Sequence, residues 1–271
     1  MSRHVTQQDI AQALDAMGLS AGDRVLVHSS LSSIGYVEGG ADAVLDAFLQ
    51  VLGPEGTLMV PTFTYAMTTD FDVENTPSKT GRITETLRAR PEAVRSFHPS
   101  HSLCAVGPNV QDLLAGHEHT DPAGTGSPLD RFVSQGGLVF LLGVGHRANT
   151  TVHLGEYHAR VPYLYASRNL GTPKQAQVRT PDGRTVPVAY NQVPGCSRNF
   201  GAVEEPLRAK GAIRDGRVGE APCQVMPGLA IVDAVAELVA RQPDALLCDH
   251  ERCRYCAEAR RMVREAQDGD A

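Results

Sequence analysis

The chain has 271 residues, 42% of them hydrophobic and 21% charged, with 25 Lys and Arg against 31 Asp and Glu for a formal charge of −6. That length accommodates one large domain with a sizeable core, while the mild acidity and the lack of Lys/Arg runs argue against a nucleic-acid binder and leave room for a cationic partner. The N-terminal MSRHVTQQDI has no apolar targeting segment and no apolar run is long enough to span a bilayer, so a cytoplasmic protein without membrane partners is expected.

In chain order, the first element reads as a capped helix. Thr6 is its N-cap, Asp9 stands at the capping-box position, Val5 and Ile10 form a staple, Ile10, Leu14 and Met17 share a face, and Gly18 stops it. RVLVH at 24–28 predicts a strand and HSSLSSIG a loop of small residues. Residues 41–52 predict a helix with Val44, Leu45, Phe48, Leu49 and Leu52 at helical spacing, and TLMVP at 57–61 a second strand. Strand, helix and strand in that order predict parallel pairing through a crossover. From Thr62 to Pro99 the composition is polar and broken by prolines, which predicts a long functional loop. Apolar runs at 102–107 and 138–145 predict core strands, separated by a short helix around 109–115 and a Gly/Pro loop. At 174–190 two alternating runs flank Pro181, Asp182, Gly183 and Arg184, a hairpin signal. Residues 191–225 read as a polar connection, 227–241 as a helix burying Ile231, Val232, Val235, Leu238 and Val239, and 254–267 as a charged terminal helix. The expected fold class is α/β: a central mixed β-sheet flanked by helices, with a smaller C-terminal hairpin and helix portion, in a single domain over 1–271.

The stretch GVGHRANTTVHLGEYHARVPY at 143–163 carries the strongest chemical signal. His153 and Glu156 are i,i+3 neighbours on a predicted helix, so an imidazole and a carboxylate reach one cavity beside the sheet edge where α/β proteins bind ligands. A histidine there can take a proton from an amine as that amine attacks an acyl carbon. In HSSLSSIG, hydroxyls and backbone amides enter a loop before a helix, an arrangement suited to phosphates although no P-loop is present. RSFHPSHS adds Arg95, Ser96, His98 and His101 before another strand. Cys104 reads as a buried inert thiol. Cys248, Cys253 and Cys256 are bunched, with a C-x-x-C pair and His250 as an alternative nitrogen ligand. In a reducing compartment such bunching favours metal over disulfides.

Taken together, VLVHSSLSSIG, LGPEGTLMVP, RSFHPSHSLCAVGP, GSPLDR, LLGVGHRANTTVHLGE, DGRVGEA and the cysteine-bearing tail give a chain that resembles the aminoglycoside 3-N-acetyltransferase family, above all its apramycin-acetylating branch. The resemblance covers most of the chain and implies an α/β fold distinct from that of the common acetyltransferase superfamily, whose pyrophosphate motif is absent. It implies acetyl transfer from acetyl-CoA to the 3-amino group of a 2-deoxystreptamine aminoglycoside, conferring antibiotic resistance. By position it implies His153 as general base with Glu156 beside it. It also implies a coenzyme A cradle from His28, Ser29, Ser30, Leu31, Ser33, Ile34 and Gly35 with Arg95, Ser96 and His98. Thr151 is the candidate donor to the thioester oxyanion. Asp70, Asp72 and Glu156 are expected to hold the polycationic antibiotic. A cysteine near position 196 in the similar branch adds Cys196 to Cys248, Cys253 and Cys256 as ligands of a structural zinc that pins residues 245–267, remote from the chemistry. Two alternatives stand beside this reading: acetyl-CoA-dependent acetylation of another amine in natural-product metabolism, and a non-catalytic zinc-containing binding module.

Overall fold

The computed structural model describes residues 4–65, 69–170, 174–191, 193 and 195–269. Helix α1 (Gln7–Ala16) begins as expected: the Thr6 hydroxyl accepts from Asp9 N and the Asp9 carboxylate accepts from Thr6 N at 3.0 Å, so two donors of the first turn are satisfied reciprocally. Strand β1 (Arg24–Ser29), helix α2 (Gly40–Leu52) and strand β2 (Thr57–Pro61) follow, and β1 pairs with β2 in parallel.

The predicted loop from 62 to 99 contains three elements that its polar composition hides: β3 (Asp70–Asp72), α3 (Arg82–Arg88) and β4 (Val94–Arg95). Next come β5 (Leu103–Val106), α4 (Val110–Leu114), α5 (Pro128–Ser134), β6 (Leu138–Leu142) and α6 (Thr151–His158). The hairpin is β7 (Lys174–Arg179) and β8 (Thr185–Tyr190), paired antiparallel. The segment that reads as a polar connection holds α7 (Glu204–Ala209), β9 (Arg214–Val218) and most of β10 (Ala221–Pro227), before α8 (Gly228–Arg241) and α9 (Arg254–Gly269).

Seven strands form the main sheet in the order β4-β5-β2-β1-β6-β10-β9. Only β2, β1 and β6 run parallel; β5, β4, β10 and β9 each pair antiparallel with their neighbours, so the sheet is mixed. The hairpin lies outside this sheet: β7 and β8 join β3 in a separate three-stranded sheet with its own core of Phe71, Val73, Ala176, Val178, Val188 and Tyr190.

Period-two alternation divides the main sheet between two apolar layers. Val25 and Val27 of β1, with Leu58 and Val60 of β2, pack in the layer that holds α1 and α2; Leu26 and Met59 pack in the opposite layer with residues of α5, α6, α8 and α9. Burying each such side chain contributes about 1.5–3 kcal/mol before the entropy of ordering it. Helix α6 lies very close to α8: a Cβ on Gly155 would stand 2.6 Å from Val235 Cβ, so only glycine permits this approach. The packing fixes α6 beside the ends of β1, β2 and β6. Among the described residues no helix is long and apolar enough to cross a membrane.

Candidate active site

The three parallel strands end at Ser29, Pro61 and Leu142, and a cavity of about 560 Å³ opens there. Crevices at the carboxyl ends of parallel strands are where open α/β sheets bind ligands. It is lined by His28, Ser29 and Pro61 at the strand ends, by Phe63, Tyr65 and His101, by Lys79, Thr80, Gly81 and Thr84, and by Arg147, Ala148, Asn149, Thr150 and His153 with Val193, Gly195, Ser197 and Phe200.

His153 sits on α6 with its ring 4.7 Å from Phe200 in edge contact, and its Nδ1 lies 2.7 Å from Glu156 Oε2. Both are buried, the carboxylate almost completely at 1% exposure. Burial pushes the Glu156 carboxyl above its ordinary range, and the histidine opposes that shift. With Nδ1–H donated to the carboxylate, Nε2 is the ring nitrogen left to accept a proton. Asn149 sets the start of the helix, its Oδ1 accepting from Thr151 N at 3.1 Å while its Nδ2 donates to His146 Nδ1 at 3.3 Å.

The other expected site residues divide. His28 lines the cavity with an unpartnered, buried Nε2, and burial holds its pKa down to about 3, so it is a neutral polar group. Ser29, Ser30, Leu31 and Gly35 line a second groove that shares Ser29 and Gly81 with the cavity and adds Tyr36, Val37, Gly40, Arg82 and Ile83. Ser33 and Ile34 do not belong to this surface. The Ser33 hydroxyl donates to Gly143 O at 3.1 Å, and Ile34 is fully buried in the core.

Arg95, Ser96 and His98, expected at the coenzyme, line neither depression and are bonded within the fold. The Arg95 guanidinium donates to Ser102 Oγ at 3.0 Å, Thr76 O at 2.6 Å, Thr62 O at 2.8 Å and Val73 O at 3.3 Å, and it lies over the Phe71 ring. Four of its five N–H donors are used within the fold, and the group lines neither the cavity nor the groove. The Ser96 hydroxyl donates to His117 Nδ1 at 2.7 Å and accepts from Leu103 N, and His98 Nδ1 accepts from the amides of Ser100 and His101. Burial lowers the pKa of His101 to about 3 and of His117 to about 4, and holds His98 well below the usual histidine range.

Thr151 is fully buried with its hydroxyl unpartnered, while its neighbour Thr150 lines the cavity. Asp70 and Asp72 lie in an adjoining cleft that shares Lys79 with the cavity, and Asp72 Oδ1 accepts from Glu74 N, Asn75 N and Asn75 Nδ2. Glu156 is committed to His153. None of the three expected carboxylates stands on the cavity wall.

Cys196, Cys248, Cys253 and Cys256 converge, all four sulfurs within 4.8 Å of one another and Cys196 Sγ 3.6 Å from Cys248 Sγ. Tetrahedral zinc with sulfur ligands at about 2.3 Å sets sulfurs about 3.8 Å apart, so the set fits that ion. His250 is exposed, and its Nδ1 accepts from Arg252 N. The cluster is not remote from the cavity as expected, since Gly195 and Ser197 on either side of Cys196 line it. A Cβ on Gly195 would stand 2.7 Å from the Tyr255 ring, so this wall is pressed directly on α9. Tyr36, Lys79, Arg82, Arg147 and Phe200 also line the two depressions and are absent from the sequence reading; no local motif marks them, and only the approach of distant loops brings them together.

Known proteins share this architecture. A family model described as aminoglycoside 3-N-acetyltransferase matches residues 26–240. The aminoglycoside N(3)-acetyltransferase IV of Salmonella sp is 32% identical over 236 residues, covering 86% of this chain and 87% of the relative. Among solved structures, aminoglycoside acetyltransferase AAC(3)-IVa, as a histidine-to-alanine variant in complex with a gentamicin, superposes with a TM-score of 0.84 at 29% identity over 97% of this chain and 99% of its own. A binary complex of AAC-IIIb with CoASH gives a TM-score of 0.76 at 26% identity, covering 88% of this chain and 98% of that one.

Proposed function

The chain belongs to the aminoglycoside 3-N-acetyltransferase family, and from that premise we propose that it transfers acetyl from acetyl-CoA to an amino group, the 3-amino group of an aminoglycoside in the first instance, with His153 as general base. The observation that carries the reading is the buried His153–Glu156 pair, 2.7 Å apart, at the wall of the cavity.

His153 Nε2 takes a proton from the attacking nitrogen as the N–C bond forms at the thioester carbonyl. Glu156 holds the ring in the required tautomer and balances its transient positive charge. When the C–S bond breaks, the imidazolium returns that proton to the departing thiolate, so the products are the amide and coenzyme A. Thr150 is the better-placed candidate to donate to the carbonyl oxygen, because it lines the cavity where Thr151 does not. The groove along Ser29 to Val37 suits the pantetheine arm and phosphates. It offers small residues, the exposed Tyr36 ring and the Arg82 guanidinium, and it opens into the cavity at Ser29 and Gly81.

Replacing His153 by alanine tests this. Removing a positioned base lowers turnover by about 10²–10⁴-fold, while acetyl-CoA binding measured by calorimetry stays intact. Wild-type turnover in the folded variant refutes the assignment.

A structural zinc held by Cys196, Cys248, Cys253 and Cys256 is a further part of the proposal. Bound there, the ion would close a thiolate cage, and these residues would tie the wall at Gly195 and Ser197 to α9 and the 245–267 segment. Metal analysis of chelator-free preparations is expected to find one zinc per chain; four freely titrating thiols with no zinc refute it.

A further inference from the structure

The charges around the cavity do not match a polycationic acceptor. Its described lining includes no Asp or Glu, and two cations, Lys79 and Arg147, face it. Glu38, Asp70, Glu85 and Glu156 each follow directly on a stretch that contributes to the lining, but none of them is part of it: Asp70 lies in the adjoining cleft, Glu85 pairs with Arg88 and Glu156 is buried behind His153. Among the described residues neither Lys79 nor Arg147 has a carboxylate within ion-pair distance, and both are exposed at the mouth. Asp72, in the adjoining cleft, is bound by its own turn.

An ammonium group entering such a cavity meets like charge and finds no anion to replace its water, whereas an acidic group finds two donors. The guanidinium can grip a phosphate or carboxylate through two parallel bonds, and the ammonium adds a point charge. We propose that the acceptor half of the cavity selects an amine that also carries a phosphate or carboxylate group, held by Lys79 and Arg147, in preference to a polycationic amine. The inference rests on N-acetyl transfer at His153 and narrows the acceptor. A gentamicin-like polycation then remains a substrate, but a poor one.

The test uses the full-length enzyme and thiol release from acetyl-CoA with matched acceptor pairs: glucosamine 6-phosphate against glucosamine, and 4-aminobutyrate against 4-aminobutanol, with gentamicin as the polycation. The expected result is that the acidic member of at least one pair has a kcat/KM about tenfold or more above its neutral partner, the effect of one charge-assisted hydrogen bond. The paired substitution Lys79→Glu with Arg147→Glu is expected to abolish that preference and improve gentamicin turnover, a reversal that loss of structure would not produce. Equal turnover within both pairs overturns the inference, as does gentamicin outrunning the acidic amines in the wild type; acetyl transfer at His153 survives either result. A rise in KM for acetyl-CoA alone in the double variant also overturns it, by assigning both cations to the coenzyme phosphates. If no amine is acetylated, the proposed function fails and the inference with it.

Discussion

In the segment 143–158, His153 gives one ring nitrogen to Glu156 and leaves the other for the cavity. In the segment 95–117, His98 and His117 pack ring against ring with centroids 4.8 Å apart, three of their four nitrogens turned to serine, backbone amides and a carbonyl and His98 Nε2 buried away from the cavity. Arg147 and Arg95 repeat the contrast: one stands exposed at the cavity mouth, the other is buried with four bonds to the surrounding fold. Residue type alone therefore does not distinguish a reacting group from a staple. What distinguishes them is whether the folded chain leaves the group lining the cavity or packs it inside the structure.

Acid is the strongest way to break the comparison. His28, His101 and His117 are held neutral, with pKa values of about 3, 3 and 4, so the unfolded chain takes up protons that the folded chain refuses. Their contribution is complete above the unfolded pKa near 6.5 and is lost as pH falls from there toward 4 and 3. By pH 5 each of the three subtracts about 2 kcal/mol, about 6 kcal/mol together. Urea midpoints measured at pH 7 and pH 5 should fall steeply; equal midpoints would show that the cluster is not buried neutral.

Arg95→Ala removes one buried cation and strands the Val73 and Thr76 carbonyls, so we expect a loss of about 3 kcal/mol in urea unfolding, with KM for acetyl-CoA unchanged in the enzyme that remains folded. A selective rise in that KM would return Arg95 to the coenzyme. Ser96→Ala is milder: it strands His117 Nδ1 and Leu103 N and should lower stability by about 1–2 kcal/mol. Smallest is Arg82→Ala in the groove, an exposed charge whose removal should raise KM for acetyl-CoA about threefold without changing the acceptor KM. An equal effect on both would detach the groove from the coenzyme.

The parts of this molecule that can be read from the sequence are those whose causes are local. The Thr6–Asp9 box, the alternation of β1 and β2, the apolar face of α8 and the i,i+3 pair of His153 and Glu156 each lie within one or two turns of chain. Strand β9 escapes such reading because RDGRV at a sheet edge has no apolar alternation, only Val218 being buried. Helix α3 escapes it because two turns of RITETLR are lost in a polar segment. The bonds of Arg95 reach carbonyls 19 to 33 residues away, and the thiols of Cys196 and Cys248 meet across 52 residues. Separations of that size leave no periodicity to detect. An acidic chain facing a polycation suggests carboxylates on the wall, but the net charge says nothing about which segments line a cavity.

Chemical rescue tests the central claim most directly. In His153→Ala, added imidazole can enter the vacated part of the cavity and act as the missing base. The account predicts that acetyl transfer, measured as thiol release at saturating acetyl-CoA, rises with imidazole concentration and follows the basicity of substituted imidazoles of similar size. The contradicting result is an alanine variant that turns over at the wild-type rate with no imidazole present.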